Sequence, residues 1–91
     1  QFALHQNYPN PFNPSTSFEY FIPRDEIINI RIFDLNGKVV KNLVKNKNQI
    51  GHNSIQWDAT NDQGQKVSAG IYIYSLEAED LRQARKMILL K

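Results

Sequence analysis

The sequence predicts an all-β fold, an antiparallel β-sandwich, and two observations carry that expectation. Apolar residues recur at every second position in several short runs, which is the period of a half-buried strand. Between those runs stand Gly, Pro, Asn and Asp clusters that make turns, and no stretch has helical period. About six such strands at short spacing suit two packed sheets better than a parallel sheet with crossovers. At 91 residues the chain fits one domain. A globule of this size buries somewhat over about 60% of its extended surface, enough for a single core.

In chain order, the first distinctive stretch is Asn7-Tyr8-Pro9-Asn10-Pro11-Phe12-Asn13-Pro14. Three prolines there forbid helix, and each residue before a proline is pushed out of the α region, so the segment runs as a stiff strap. Tyr8 and Phe12 become apolar pegs upon it. Residues 1–16 are assigned to this proline-rich strap and residues 17–91 to the sandwich proper. Phe18, Tyr20 and Ile22 then share one strand face, and Pro23 ends the run. After the charged turn Arg24-Asp25-Glu26, residues 27–34 give the clearest strand, with Ile28, Ile30 and Ile32 on one side.

Asn36-Gly37 tolerates positive φ and predicts a tight hairpin returning as residues 39–44. Val40 and Leu43 differ in parity, which predicts a bulge or an early strand end. Residues 46–51 are expected to form a polar loop, followed by a strand with Ile55 and Trp57 on one face. Residues 58–70 look like a loop. Tyr72, Tyr74 and Leu76 face inward on the next strand, a charged turn spans residues 80–83, and the last strand carries Met87-Ile88-Leu89-Leu90, apolar on both faces.

Composition narrows the function classes. Hydrophobic residues make up 41% and charged residues 22%, near ordinary globular values, and no apolar run approaches the roughly 18 residues of a spanning helix. Membrane insertion is therefore not expected. The net charge is +2 with basic residues dispersed. Lys38, Lys41, Lys45 and Lys47 read as a guarded sheet edge rather than a phosphate track, and no nucleic-acid partner is expected. Cys is absent, which removes disulfides, thiol nucleophiles and zinc-thiolate sites. Gln1 does not open an export leader, so the chain is expected to be either cytosolic or a piece of something longer.

Chemistry-bearing residues are thin, and no enzyme and no cofactor is expected. His5 and His52 lack metalloprotease spacing, and Glu19 and Glu77 lie on outward strand faces without the signal of a glycosidase pair. Asp58, Asn61, Asp62 and Gln65 place oxygens in one loop, where calcium is conceivable. The calcium-hand order is missing, so capping of their own turns is the better reading. Trp57, Tyr72 and Tyr74 have the parity of core residues rather than of a sugar platform.

The residues do carry a resemblance. Leu4 and Gln6-Asn7-Tyr8-Pro9-Asn10-Pro11-Phe12-Asn13-Pro14-Ser15-Thr16 resemble the opening signature of the type A family of type IX secretion system C-terminal sorting domains. Tyr20 and Pro23, Ile32-Phe33-Asp34 with Gly37 and Val40, and Trp57-Asp58 with Gly64 continue the match. Gly70-Ile71-Tyr72 with Leu76, and Lys86-Met87-Ile88-Leu89-Leu90-Lys91, resemble the closing hairpin. Phe18 and Tyr20-Phe21-Ile22 are bulkier than the family's strand, and Ala59 stands where a glycine is frequent.

That resemblance implies an immunoglobulin-like antiparallel β-sandwich of about seven strands, similar to that of flagellar hook-capping proteins. It implies a domain at the C-terminus of a larger precursor, carrying an upstream passenger across the outer membrane of a Gram-negative bacterium. The partners would be the type IX translocon and a sortase-like peptidase, and the destination the cell surface or the medium. In isolation the domain is expected to be a monomer. Recognition is assigned to the last hairpin, residues 70–91, through Gly70, Tyr72, Lys86, Met87, Leu89 and Lys91, because an edge strand offers unpaired backbone groups. The alternative is a non-catalytic spacer or carbohydrate-binding module of a secreted hydrolase.

Overall fold

The computed structural model describes residues 1–90. Seven strands form in chain order: β1 (Ala3–Leu4), β2 (Thr16–Ile22), β3 (Ile27–Phe33), β4 (Val39–Asn48), β5 (Gly51–Trp57), β6 (Gly70–Ala78) and β7 (Leu81–Leu89). They make a three-stranded sheet, β1-β2-β5, and a four-stranded sheet, β4-β3-β6-β7, with every pairing antiparallel. The all-β immunoglobulin-like sandwich is the fold the sequence predicts.

The alternating residues meet between the sheets as their period dictates. Phe18, Tyr20 and Ile22 of β2 face Ile28, Ile30 and Ile32 of β3 and Tyr72, Tyr74 and Leu76 of β6, all 6% exposed or less. Each such apolar side chain contributes roughly 1.5–3 kcal/mol on burial. Phe18 and Tyr74 join the two layers with ring centroids 4.3 Å apart. Trp57 closes one end of the core, 5.4 Å from the Tyr72 ring and 5.8 Å from that of Phe12. Its indole N–H donates to the Thr60 carbonyl at 2.8 Å, so the one polar atom of this buried ring is satisfied.

Four details differ from the sequence reading. Ala3–Leu4 is a strand, too short to show a period, and it carries Phe2 and Leu4 into the core. The predicted bulge is present as register shifts between β3 and β4, yet β4 does not end early: it runs to Asn48, so the polar loop shrinks to residues 49–50. The β6–β7 turn is likewise only residues 79–80, because Arg82 and Gln83 pair with Glu77 and Leu76 in the ladder. Finally Phe12 is buried at 1% exposure, but Tyr8 is 82% exposed and is no peg.

The strap itself is anchored by a small polar hub. Asn7, 2% exposed, donates from Nδ2 to the Thr16 hydroxyl at 3.1 Å and to the Pro9 carbonyl at 3.2 Å, while Thr16 donates to that carbonyl at 2.8 Å. Prolines leave the strap few donors of its own, so a buried amide and hydroxyl hold it in shape.

Candidate functional site

The assigned recognition hairpin, β6 and β7, divides into two sets of side chains. Tyr72, Met87 and Leu89 point into the core at 6%, 0% and 5% exposure. Lys86 is exposed, and Gly70 begins the hairpin opposite Leu89 with φ of 154°. Lys91 lies outside the described residues. What the hairpin presents to solvent is the opposite face, where Ile71 and Ile88 are cross-strand partners at 37% and 36% exposure and Lys86 pairs with Ile73. Sequence reasoning named the hairpin but missed Ile71 and Ile88. Their place one residue out of phase with Tyr72 and Met87 is the signal that identifies them.

On the same outer face Arg31 donates from Nη2 to both carboxylate oxygens of Glu77 at 2.9 Å, and its guanidinium lies 5.0 Å from the Phe33 ring centroid. Arg82 approaches the same carboxylate at 3.6 Å and the same ring at 5.7 Å. Glu77, weighed as an enzymatic carboxylate, is thus the shared counter-ion of two guanidinium groups and accepts hydrogen bonds from Arg31.

β7 is an edge strand, and the strap lies along it. The Phe12 N–H donates to the Ile88 carbonyl at 2.9 Å, and the Leu90 N–H donates back to the Phe12 carbonyl at 2.8 Å. The Ile88 N–H donates to Asn10 Oδ1 at 3.0 Å, and Gln6 Nε2 donates to the Lys86 carbonyl at 2.9 Å. The Lys86 carbonyl, both backbone groups of Ile88 and the Leu90 N–H, which would otherwise extend the sheet, are therefore occupied by the chain's own N-terminal segment.

The loop between β5 and β6 uses its oxygens in hydrogen bonds within the chain, Gln65 Oε1 accepting from the Asn61 side-chain amide at 3.2 Å. Asn61 Oδ1 accepts the N–H groups of Gln63 and Gln65 at 3.0 and 2.9 Å, and Asp58 accepts from the Thr60 hydroxyl at 2.5 Å. Asp62 departs from the expected turn-capping role. It accepts from the Asn42 N–H at 3.0 Å and the Asn42 side-chain amide at 2.8 Å, closing the first half of the β4 edge. Those bonds hold the Asp62 carboxyl below its usual range, and the Thr60 hydroxyl does the same for Asp58. Among the described residues no group of three His, Cys, Asp or Glu side chains could hold a metal ion. His5, Glu19 and His52 line one shallow groove on the three-stranded sheet, with the His52 ring 4.6 Å from Phe21.

Trp57, Tyr72 and Tyr74 lie in the core rather than on a face. Burial raises the phenols of Tyr20 and Tyr72 above their ordinary value and pushes Tyr74 up to about 12.

Comparison with known proteins gives one family and several structures. The model of the FlgD Ig-like domain matches residues 15–81. The chain is similar to dimeric latent PorU from Porphyromonas gingivalis, with 25% identity and a TM-score of 0.77 over 98% of this chain and 9% of that one. PorZ, an essential surface component of the type IX secretion system of the same organism, gives 14% identity and a TM-score of 0.66 over 97% of this chain and 11% of that one. Truncated FlgD from Helicobacter pylori gives 24% identity and a TM-score of 0.59 over 96% of this chain and 64% of that one. The chain thus spans about a tenth of the length of PorU and PorZ. No curated protein matches it.

Proposed function

The chain belongs to the FlgD Ig-like domain family, and from that premise we propose that it is the C-terminal sorting domain of a larger exported protein. It directs an upstream passenger across the outer membrane through the type IX secretion system, to the cell surface or the medium. The domain is non-catalytic and monomeric in isolation, neither inserts in a membrane nor binds nucleic acid, and works through the translocon and a sortase-like peptidase. The observation that carries this reading is the strap, Asn7 to Pro14, which resembles the opening signature of type IX sorting domains and is built into a module matching PorU over 98% of this chain but 9% of that one. A small module within a much longer chain is what an address label requires. PorZ, which shares the fold, is itself a type IX surface component.

Since Tyr72, Met87 and Leu89 complete the core and the strap covers the end of β7, the part of the hairpin open to the translocon is its outer face. Ile71, Lys86 and Ile88 supply an apolar patch beside a cation there, suited to a docking partner. Fusing the chain to a periplasmic reporter in a type IX-competent host tests the proposal. Surface delivery should require the domain and should fall at least about tenfold, a loss of about 1.4 kcal/mol in recognition, in an Ile71→Asp, Ile88→Asp variant. Delivery that persists after deletion of the domain refutes the sorting role.

A further inference from the structure

Of the four sheet edges in this sandwich, three are protected from within the chain. The end of β7 is covered by residues 6–12, as described above. On the β1 side of the other sheet, Tyr8 and His5 pair with the β2 edge at Ser17 and Glu19, and the Phe2 and Leu4 carbonyls accept from Gln83 and Arg85 of β7. The β4 edge is closed by Asp62 at Val40 and Asn42 and guarded further on by exposed Lys45 and Lys47, with Asn46 kinked at a φ of 52°. Bulges and lysines are the devices that keep an edge from pairing.

β5 has none of these. Ser17 and Glu19 of β2 turn their backbone groups toward Tyr8 and His5, so the alternate residues Thr16, Phe18, Tyr20 and Ile22 bond to Trp57, Ile55, Asn53 and Gly51. The N–H and C=O groups of His52, Ser54 and Gln56 consequently point away from the sheet. Among the described residues they have no backbone partner, and their side chains are exposed. The register of β5 against β2 is unbroken over seven pairs, and the strand holds no proline, lysine or acid.

We propose that the β5 edge is an acceptor for an extended strand of a partner protein, which adds to the three-stranded sheet beside His52, Ser54 and Gln56. The donor–acceptor repeat of those three residues is matched only by an extended backbone. The half-buried Ile55 favours an apolar residue at the adjoining inward position, and the uncharged rim imposes no electrostatic cost on a neutral strand. A second copy would join through the β5–β5 strand pair alone, far short of the roughly 1,200 Å² of a stable interface, so the donor strand belongs to a larger partner whose surface adds contacts beyond β5. The chain's own N-terminal segment is committed to β7 on the opposite side. This inference stands apart from the sorting role, and its test reads no export.

The probe is an end-blocked synthetic peptide with the sequence of Thr16–Ile22, the strand already matched to β5. At about 1 mM, the concentration suited to an unaided strand, it should slow amide hydrogen exchange at His52, Ser54 and Gln56 by about tenfold. Arg82 and Ala84 on β7 should be unaffected. Ser54→Pro removes one outward donor while leaving the ladder bonds of Asn53 and Ile55, and it should abolish the protection. If the proline variant fails to fold, Ser54→Lys guards the same edge with charge and should give the same loss. Unchanged exchange with wild-type protein, protection that survives both variants, or protection that rises with protein concentration in the absence of peptide would each overturn the proposal.

Discussion

Phe12 and Leu89 are partners in a parallel bridge that ties the strap to the last strand, with the Phe12 ring buried at 1% exposure against Trp57. Residues near opposite ends of the sequence thus share one backbone ladder and one core. The strap is a structural member of the sandwich, and the run that resembles the type IX sorting-domain signature has a physical reason in it: Asn7 fills the polar hub, Asn10 accepts from Ile88, and Phe12 packs the core.

Removing the Phe12 ring should therefore act on both termini at once. Phe12→Ala is expected to cost about 3–5 kcal/mol, the range for a fully buried phenylalanine. Urea denaturation followed by Trp57 fluorescence measures it, since that indole lies against the lost ring. Asn10→Ala should cost only about 1 kcal/mol, one hydrogen bond to Ile88. A loss in Phe12→Ala no larger than that in Asn10→Ala would show that the ring is not what holds the strap.

Much of this was legible in the sequence, because a period of two survives in a single chain wherever a strand is long and half-buried. Ile28, Ile30 and Ile32 announce their face, as do Tyr72 and Tyr74. What escaped lies in long-range pairing. Ala3–Leu4 has no period to detect, and Asp62 caps Asn42 twenty residues away, a bond with no local signature. Tyr8 and Phe12 are both aromatic residues in the strap, and only the packing distinguishes the exposed ring from the buried one.

Alkaline conditions should destabilise the domain through Tyr74. Its phenol sits fully buried, donating to the His5 carbonyl at 2.6 Å, with its pKa pushed up to about 12 from 10.0. The folded state keeps the proton that the unfolded chain releases, so this contribution is complete below pH 10 and is lost as pH rises from 10 toward 12. A shift of this size corresponds to about 2–3 kcal/mol. Tyr74→Phe forfeits one hydrogen bond, about 1 kcal/mol at neutral pH, and does not titrate. Denaturation curves should therefore show the variant less stable at pH 7 and more stable above about pH 11.

Ala59 adopts a φ of 64° at 4% exposure, which explains why glycine is frequent at this place in the family it resembles. Two effects oppose each other in Ala59→Gly. Relief of left-handed strain gains about 1 kcal/mol, while the lost methyl and the freer unfolded chain together cost about as much. Near-neutral stability is expected. Ala59→Val is different, since a β-branched residue is a true outlier at positive φ, and a loss above about 2 kcal/mol should appear in the same thermal or urea titration.

Ser75 offers the opposite case, a buried polar group whose removal should help. It lies on the outer side of β6, yet it is 0% exposed, and its cross-strand neighbours are Arg31 and Ala84. Its hydroxyl has no hydrogen-bond partner among the described residues, and neither has Arg31 Nε. An unpaired buried hydroxyl costs roughly 1–3 kcal/mol in desolvation that no bond offsets. Ser75→Ala keeps the Cβ and deletes the oxygen, so stability should rise by up to about 1 kcal/mol, read as a higher urea midpoint with unchanged slope. A fall would show that the hydroxyl has a partner in solution, and Arg31 is the group to pair with it: the loss should then vanish in an Arg31→Met background, where the double-mutant cycle removes their coupling.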